Sequence, residues 1–352
     1  MNNSFGIFFL FLMTILFALG FGSCVKDDGE EYQTKDPFEV IADASEIDEG
    51  DCRHHLPEFD SWFNSKAYRL YFKDSLIINH AVQNLMNRHQ WVYTVHHVPK
   101  TFNVSSGHGR ELLHFIDLLT NEHRLIDSAD FGIQSPQFAG NHIVYYRAGG
   151  VISDLILYNL ALSERTELEG TGSALSQDGS KLKVKVSSEI RIVGLPGLEV
   201  EKVWDGNDEM APNYYQVLWK GGEGFYEWNR INDHLQYYWY EAPNYERVAV
   251  FKPIGTSGVA HTPACWINND VFITNGGLEV NLKEKSARLA FDTCASQYFT
   301  NFTPYNDGKL IAHRIHYKLD DDNKSAVRSQ NFHLLDSKNS ENKRIEFSNF
   351  PR

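Results

Sequence analysis

The chain has 352 residues, 22% of them charged and 42% hydrophobic, with a formal net charge of −13. That length supports a large core without staples, and four cysteines with no Cys-x-x-Cys pair give neither a zinc ribbon nor a thioredoxin-like motif. The acidic balance lacks the basic face that nucleic acid requires and disfavours phosphate-rich partners.

An uncharged apolar run from Phe5 closes on Ala18-Leu19-Gly20-Phe21-Gly22-Ser23-Cys24, and Val25-Lys26-Asp27-Asp28-Gly29-Glu30-Glu31 follows at once. The run is short and ends abruptly, which fits the apolar core of a signal peptide better than a spanning helix. Two small residues, a cysteine and sudden acidity resemble a bacterial lipoprotein signal, although the leading residues carry no Lys or Arg and Phe21 stands where Leu is usual. The resemblance implies a signal peptide over 1–23, acylation of Cys24, and a membrane partner held by enough lipid for stable anchoring. Val25 after the cysteine departs from the inner-membrane retention signal. Lys26-Asp27-Asp28 with Glu30-Glu31 resembles a short Lys-acidic export tag. Together they imply an outer-membrane lipoprotein, facing either the periplasm or, as the tag would direct, the cell surface. From Val25 to Asp51 the chain is acidic and poor in aromatics, so 24–51 is expected to be a flexible tether and 52–352 the folded body.

Beyond Cys52 the pattern is short runs of β-branched and aromatic residues cut by Gly, Asn, Asp and Pro, the signature of strands and turns. The runs fall in groups of four that return every ~40–50 residues, a period in the range of propeller blades. The first group is Ser75–Val82, Trp91–His97, Leu112–Leu118 and His123–Ile126. The second is Gln134–Phe138, His142–Tyr146, Asp154–Leu160 and Arg165–Leu168. The third is Ser173–Ser176, Lys181–Val186, Glu189–Val193 and Val200–Trp204. The fourth is Tyr214–Trp219, Gly224–Trp228, Leu235–Tyr240 and Arg247–Phe251. The fifth is Ala260–Trp266, Asp270–Thr274, Leu278–Leu282 and Ala287–Phe291. The sixth is Tyr298–Thr303, Lys309–His313, Gln330–Leu335 and Arg344–Phe347. These predict an all-β, six-bladed β-propeller of four-stranded antiparallel blades. Segment Lys66–Phe72 either opens a seventh blade or adds a strand that helps close the ring.

Ser135, Pro136 and Phe138 in one group, and Ser176, Asp178 and Gly179 in another, resemble the Ser-Pro-x-Phe-Ser-Pro-Asp-Gly-like turn of the TolB-type β-propeller family. The Asp-Gly pair has a physical basis, because a tight hairpin between twisted strands needs positive φ. The resemblance implies the fold and leaves the activity open.

In a propeller the loops from second to third strand, and from fourth strand to the next blade, share the face that usually binds. In the first group that loop runs from Val98 to Arg110 and is entered through His96 and His97. In the sixth it begins at His313-Arg314-Ile315-His316 and runs through Asp320-Asp321-Asp322. Ring closure would set these loops side by side. The candidate ligand-binding residues are therefore His96, His108, Arg110, His313, Arg314 and His316, joined by Tyr214 and Tyr215 just after a proline-containing loop. His96, His108, His313 and His316 are the candidate metal ligands, since converging imidazoles are what a transition-metal site needs. Oligogalacturonide lyases build such a site in a propeller channel, but their motif has no counterpart in order here. Asp205, Asp208 and Glu209 sit in one loop on the same face and read as a solvated turn. The aromatics crowding the fourth group, from Trp228 to Tyr245, read mostly as wedge-filling core.

The chain has no GxSxG, HExxH, Walker or Rossmann fingerprint, so it specifies no cofactor and no catalytic residue. The reading is a lipid-anchored binding or scaffolding module with a protein or glycan partner on the loop face. The alternatives are an extracellular polysaccharide lyase or hydrolase working from that face, and a subunit of an envelope transport machine. Of the cysteines outside the lipobox, Cys265 is expected to be a buried free thiol, and Cys52 is the only plausible partner for Cys294.

Overall fold

A computed structural model describes residues 38–43, 69–72, 76–97, 101–102, 110–130, 132–148, 153–213, 217–231, 234–251, 263–274, 277–290, 299–305, 308–319, 325–336, 338 and 341–347. All belong to one compact unit, Pro37–Arg352. Among them there are strands and turns and no helix.

In chain order, β1 (Phe38–Asp43) and β2 (Arg69–Phe72) precede the blades. Blade one is β3 (Leu76–Asn84), β4 (Asn87–His97), β6 (Glu111–Asp117) and β7 (Glu122–Ala129), with the short β5 (Thr101–Phe102) between β4 and β6. Blade two is β8 (Ile133–Ala139), β9 (His142–Ala148), β10 (Ser153–Asn159) and β11 (Glu164–Leu168). Blade three is β12 (Thr171–Leu175), β13 (Lys181–Val186), β14 (Glu189–Gly194) and β15 (Val200–Asp205). Blade four is β16 (Val217–Lys220), β17 (Gly224–Ile231), β18 (His234–Glu241) and β19 (Glu246–Phe251). Blade five is β20 (Pro263–Trp266), β21 (Val271–Thr274), β22 (Leu278–Asn281) and β23 (Ser286–Leu289). Blade six is β24 (Phe299–Pro304), β25 (Lys309–Leu319), β26 (Ser325–Asp336) and β27 (Glu341–Phe347). Every blade is antiparallel in sequence order, and the four-strand repeat read from the sequence is present six times.

The core lies between blades rather than within one centre. A strand turns alternate side chains to opposite faces, and in a propeller both faces meet a neighbouring blade. In Lys181-Leu182-Lys183-Val184-Lys185-Val186, the even positions pack with Leu155 and Leu157 of blade two. Blade three turns Ala174, Ile190, Ile192 and Trp204 the other way, against Trp219, Phe225, Tyr240 and Tyr245 of blade four. Six such apolar wedges exist, and one joins Trp91, Tyr93 and Val95 of blade one to Ile311, Phe332 and Ile345 of blade six. That wedge closes the ring. The fourth-blade aromatics Tyr237, Tyr240 and Tyr245 are at most 1% exposed and fill wedges as expected. Phe225 stacks on Tyr240 with ring centroids 4.8 Å apart, and such pairs add about 0.5–1.5 kcal/mol beyond burial.

Turn chemistry explains the hairpins. Gly179 has φ +69°, and a Cβ there would stand 2.5 Å from the Ala139 carbonyl oxygen. Asp178 Oδ1 accepts from Ser176 Oγ (2.7 Å), Ser180 N (3.0 Å) and Ser180 Oγ (2.8 Å). Burial works against ionisation of Asp178, but these hydrogen bonds outweigh it and hold the carboxyl below its ordinary value.

Residues before the blades bind blade six. β1 pairs antiparallel with β27, so that Val40 faces Ile345. Phe38–Asp43 is therefore an edge strand inside the stretch expected to be tether. β2 pairs parallel with β26 and antiparallel with β5. Segment Lys66–Phe72 thus supplies a closing strand, β2, rather than a seventh blade. It links the loop of blade one to the hairpin of blade six.

Candidate functional site

Strands β25 and β26 pair from Lys309↔Asp336 through to Leu319↔Ala326. Positions 313, 314 and 316 consequently lie within a strand and not in the loop expected there, because the alternation Ile315-x-Tyr317-x-Leu319 carries the strand to Leu319 before the acidic turn. His313 is 2% exposed and stacks on Phe332, ring centroids 4.9 Å apart, on the face turned toward blade one. It belongs to the ring-closing wedge rather than to a solvent-facing site. Arg110 is exposed and donates from Nη2 to Ser128 Oγ at 3.1 Å. His96 pairs through its backbone with Ile77 and Glu111, Arg314 with Phe299 and Asn331, and His316 with Ser329. The side chains of these three, and all of His108, Tyr214, Tyr215, Cys24, Cys52 and Cys294, lie outside the described residues. Among the described residues no three His, Cys, Asp or Glu side chains are grouped to hold a metal ion.

The loop that enters blade four, Asp205 to Asn213, is the longest described connection on the loop face. Its backbone is held from beneath by buried ionisable side chains. Lys183 Nζ donates to the Asn213 carbonyl at 2.6 Å, and the Asn213 N–H donates to Glu227 Oε2 at 2.5 Å. Tyr240 donates its hydroxyl proton to Glu227 Oε1 at 2.8 Å. Arg247 donates from Nη1 to the Glu209 carbonyl at 2.5 Å, places Nε 3.7 Å from Glu227 Oε1, and lies over the Tyr238 ring at 3.7 Å. Lys183 and Glu227 are both 0% exposed. Burial pulls the Lys183 ammonium down to about 7, against the attraction of Glu227. Burial also raises the Glu227 carboxyl, opposed by the hydrogen bonds from Asn213 and Tyr240 and by the charges of Arg247 and Lys183. A buried charge must be paired and hydrogen-bonded, and here the loop backbone supplies part of that satisfaction. The loop's own Asp205, Asp208, Glu209 and Met210 remain exposed.

Sequence reasoning missed Lys183, Glu227 and Arg247. A strand in which lysines alternate with Leu and Val ordinarily has one solvated face, yet here Lys183 is buried in the next wedge. The signal present was their occurrence on successive blades beside a proline-containing loop.

The second feature is the axial channel. Innermost strands of all six blades line a cavity of about 230 Å³ in the half of the channel nearest the first-to-second-strand turns. Cys265 is part of its wall. It is a buried free thiol, as expected, and burial raises its pKa so that it stays protonated.

Closed wedges, six antiparallel blades and an outer edge clasped by preceding strands define a six-bladed β-propeller. No family model and no curated protein matches the chain. Solved structures that share similarity are TolB from Acinetobacter baumannii, at 10% identity and TM-score 0.46, over 80% of this chain and 64% of that one. The β-propeller domain of the Trilobed protease from Pyrococcus furiosus aligns at 12% identity and TM-score 0.47, over 75% of this chain and 82% of that one. An oligogalacturonate lyase in complex with manganese aligns at 15% identity and TM-score 0.40, over 62% and 65%. The chain spans less than two thirds of TolB and of the lyase. The fold assignment itself rests on the strand pairing described above.

Proposed function

We propose that the protein is a binding module of the bacterial envelope, held to the outer membrane through lipid on Cys24 and engaging a protein partner through its loop face. The observation that carries the reading is the loop from Asp205 to Asn213. Its backbone is fixed at Glu209 and Asn213 by Arg247, Lys183 and Glu227, while the side chains of Asp205, Asp208, Glu209 and Met210 are exposed. A loop already ordered loses little conformational freedom on binding, which favours recognition. Asp205, Asp208 and Glu209 lie on the same face as Asp154, Glu167 and Glu169, which together with the cation Lys185 line a shallow depression between blades two and three. This acidity suits a partner with a basic patch, since complementary charge steers encounter. The anchor reading rests on the small-small-Cys ending before the acidic leader.

The test is a charge reversal. Asp205 Oδ1 accepts from Asn207 N and Asp208 Oδ1 from Met210 N, so a chain carrying Asp205→Asn, Asp208→Asn and Glu209→Lys keeps these acceptors while turning the loop from acidic to basic, and should keep the wild-type unfolding temperature. Cross-linked in intact cells, the wild type should form a discrete adduct that the triple variant loses. An identical adduct from both chains would overturn the loop-face reading.

A further inference from the structure

The channel cavity has no part in the loop-face reading and lies toward the opposite end of the ring. Its wall takes one strand from each blade, through Val82, Pro136, Leu175, Leu218, Cys265 and Phe302. In a chain that is 22% charged, the lining among the described residues includes no Asp, Glu, Lys, Arg or His.

The backbone makes less of a polar wall than a propeller channel ordinarily would. An innermost strand presents an unpaired edge of N–H and C=O groups to the axis. On β12 that edge is bonded by side chains of both neighbouring blades. Gln137 accepts from Leu175 N at 2.7 Å and donates to the Ser173 carbonyl at 3.0 Å. Trp219 Nε1 donates to the Ala174 carbonyl at 2.9 Å. On β16, Trp266 Nε1 donates to the Trp219 carbonyl at 2.6 Å. These amide and indole groups are turned to the backbone, and their apolar surfaces are left to the cavity.

An apolar cavity of ~150 Å³ lined by aliphatic and aromatic side chains stays dry and takes up benzene. The space here is about 230 Å³. Leu85, 41% exposed, lies at the turn between β3 and β4 and also lines the cavity, so its mouth opens on that turn face.

We infer that the channel is a binding site for a small uncharged apolar molecule, the size of one aromatic ring or a short alkyl chain. Recognition is by shape and exclusion of charge. An anionic group would meet no cation among the described residues of this wall and would lose its hydration.

The experiment is thermal unfolding of the full chain with toluene as the apolar probe and benzoate as the same ring with a charge. Two variants fill the space from different walls, Ala264→Leu and Val217→Phe. Toluene should raise the unfolding temperature of the wild type saturably and benzoate should not. Either variant should weaken the response to toluene by roughly tenfold or more, as expected where one steric conflict removes a little over 1 kcal/mol of binding. The inference is overturned if toluene gives no saturable shift, if benzoate matches it, or if both folded variants respond as the wild type does. Should both variants fail to fold, the wild-type contrast between toluene and benzoate decides alone.

Discussion

Lys183 is an amine without solvent contact, and its ionisation is coupled to folding. Between about 7, where burial holds it in the folded chain, and the ordinary value of 10.5, the unfolded chain binds a proton that the folded chain does not. Stability therefore rises with pH across that window. Glu227 runs the other way. Its raised carboxyl favours the folded state below its ordinary value of 4.5, and that advantage is lost as pH rises through the folded value. In Lys183→Met the rise from pH 7 to 9 should vanish relative to wild type, as measured by denaturant unfolding at each pH; parallel profiles would contradict the burial of a titrating amine. Loss of the donor to Asn213 should also cost about 1–3 kcal/mol. Two glycines separate backbone conformation from contact. Gly179→Ala meets both a positive φ and the Ala139 carbonyl, whereas Gly221, at φ +54°, has no atom within 4 Å of an added Cβ. Gly221→Ala should cost about 1 kcal/mol and Gly179→Ala about 3 kcal/mol; equal costs would show that the contact is relieved.

At the scale of elements, β1 is an edge strand that shields β27, itself the outer strand of blade six. A chain beginning at residue 44 should melt about 2–4 °C below one beginning at residue 37, and the amides of Ile345 and Phe347 should exchange faster. Equal melting and exchange would mean that β1 adds nothing to closure. The blade strands were legible because each is a short alternating run ended by Gly, Asn or Asp, as at Gly140-Asn141 and Asp178-Gly179. β1 was not, because Phe38-Glu39-Val40-Ile41 is one brief apolar run in an acidic stretch and becomes a strand only against the edge of β27. The extension of β25 was signalled by Ile315, Tyr317 and Leu319, but the interleaved His316 and Lys318 made it read as a polar loop. Lys183 was not singled out, because alternation marks two faces of a strand and does not say which is covered.

For the whole molecule, the ring is closed by packing and by strand addition. Trp91 and Tyr93 meet Phe332 and Ile345 in the last wedge, and β1 and β2 lie along blade six. The fold was legible because it is one unit repeated six times. The candidate site was less so, because loop geometry depends on contacts between blades, such as Arg247 reaching the Glu209 carbonyl, that no local pattern encodes. The same architecture separates two surfaces, an acidic loop face with a fixed loop and an apolar cavity toward the other end. Attachment through Cys24 would place both outside the membrane. Replacing Cys24 by Ser should release the chain into the carbonate-soluble fraction, and retention with membranes would show another mode of attachment.

The claim at the centre of the account is that the loop face recognises a partner. It is tested most directly by solubilising membranes and measuring the native mass of the wild type beside that of the Asp205→Asn, Asp208→Asn, Glu209→Lys chain. The expected result is a wild-type complex well above the mass of the free lipid-anchored chain in the same detergent, and a triple variant that runs as that free chain with unchanged thermal stability. Identical masses for the two chains, whether free or complexed, would contradict it.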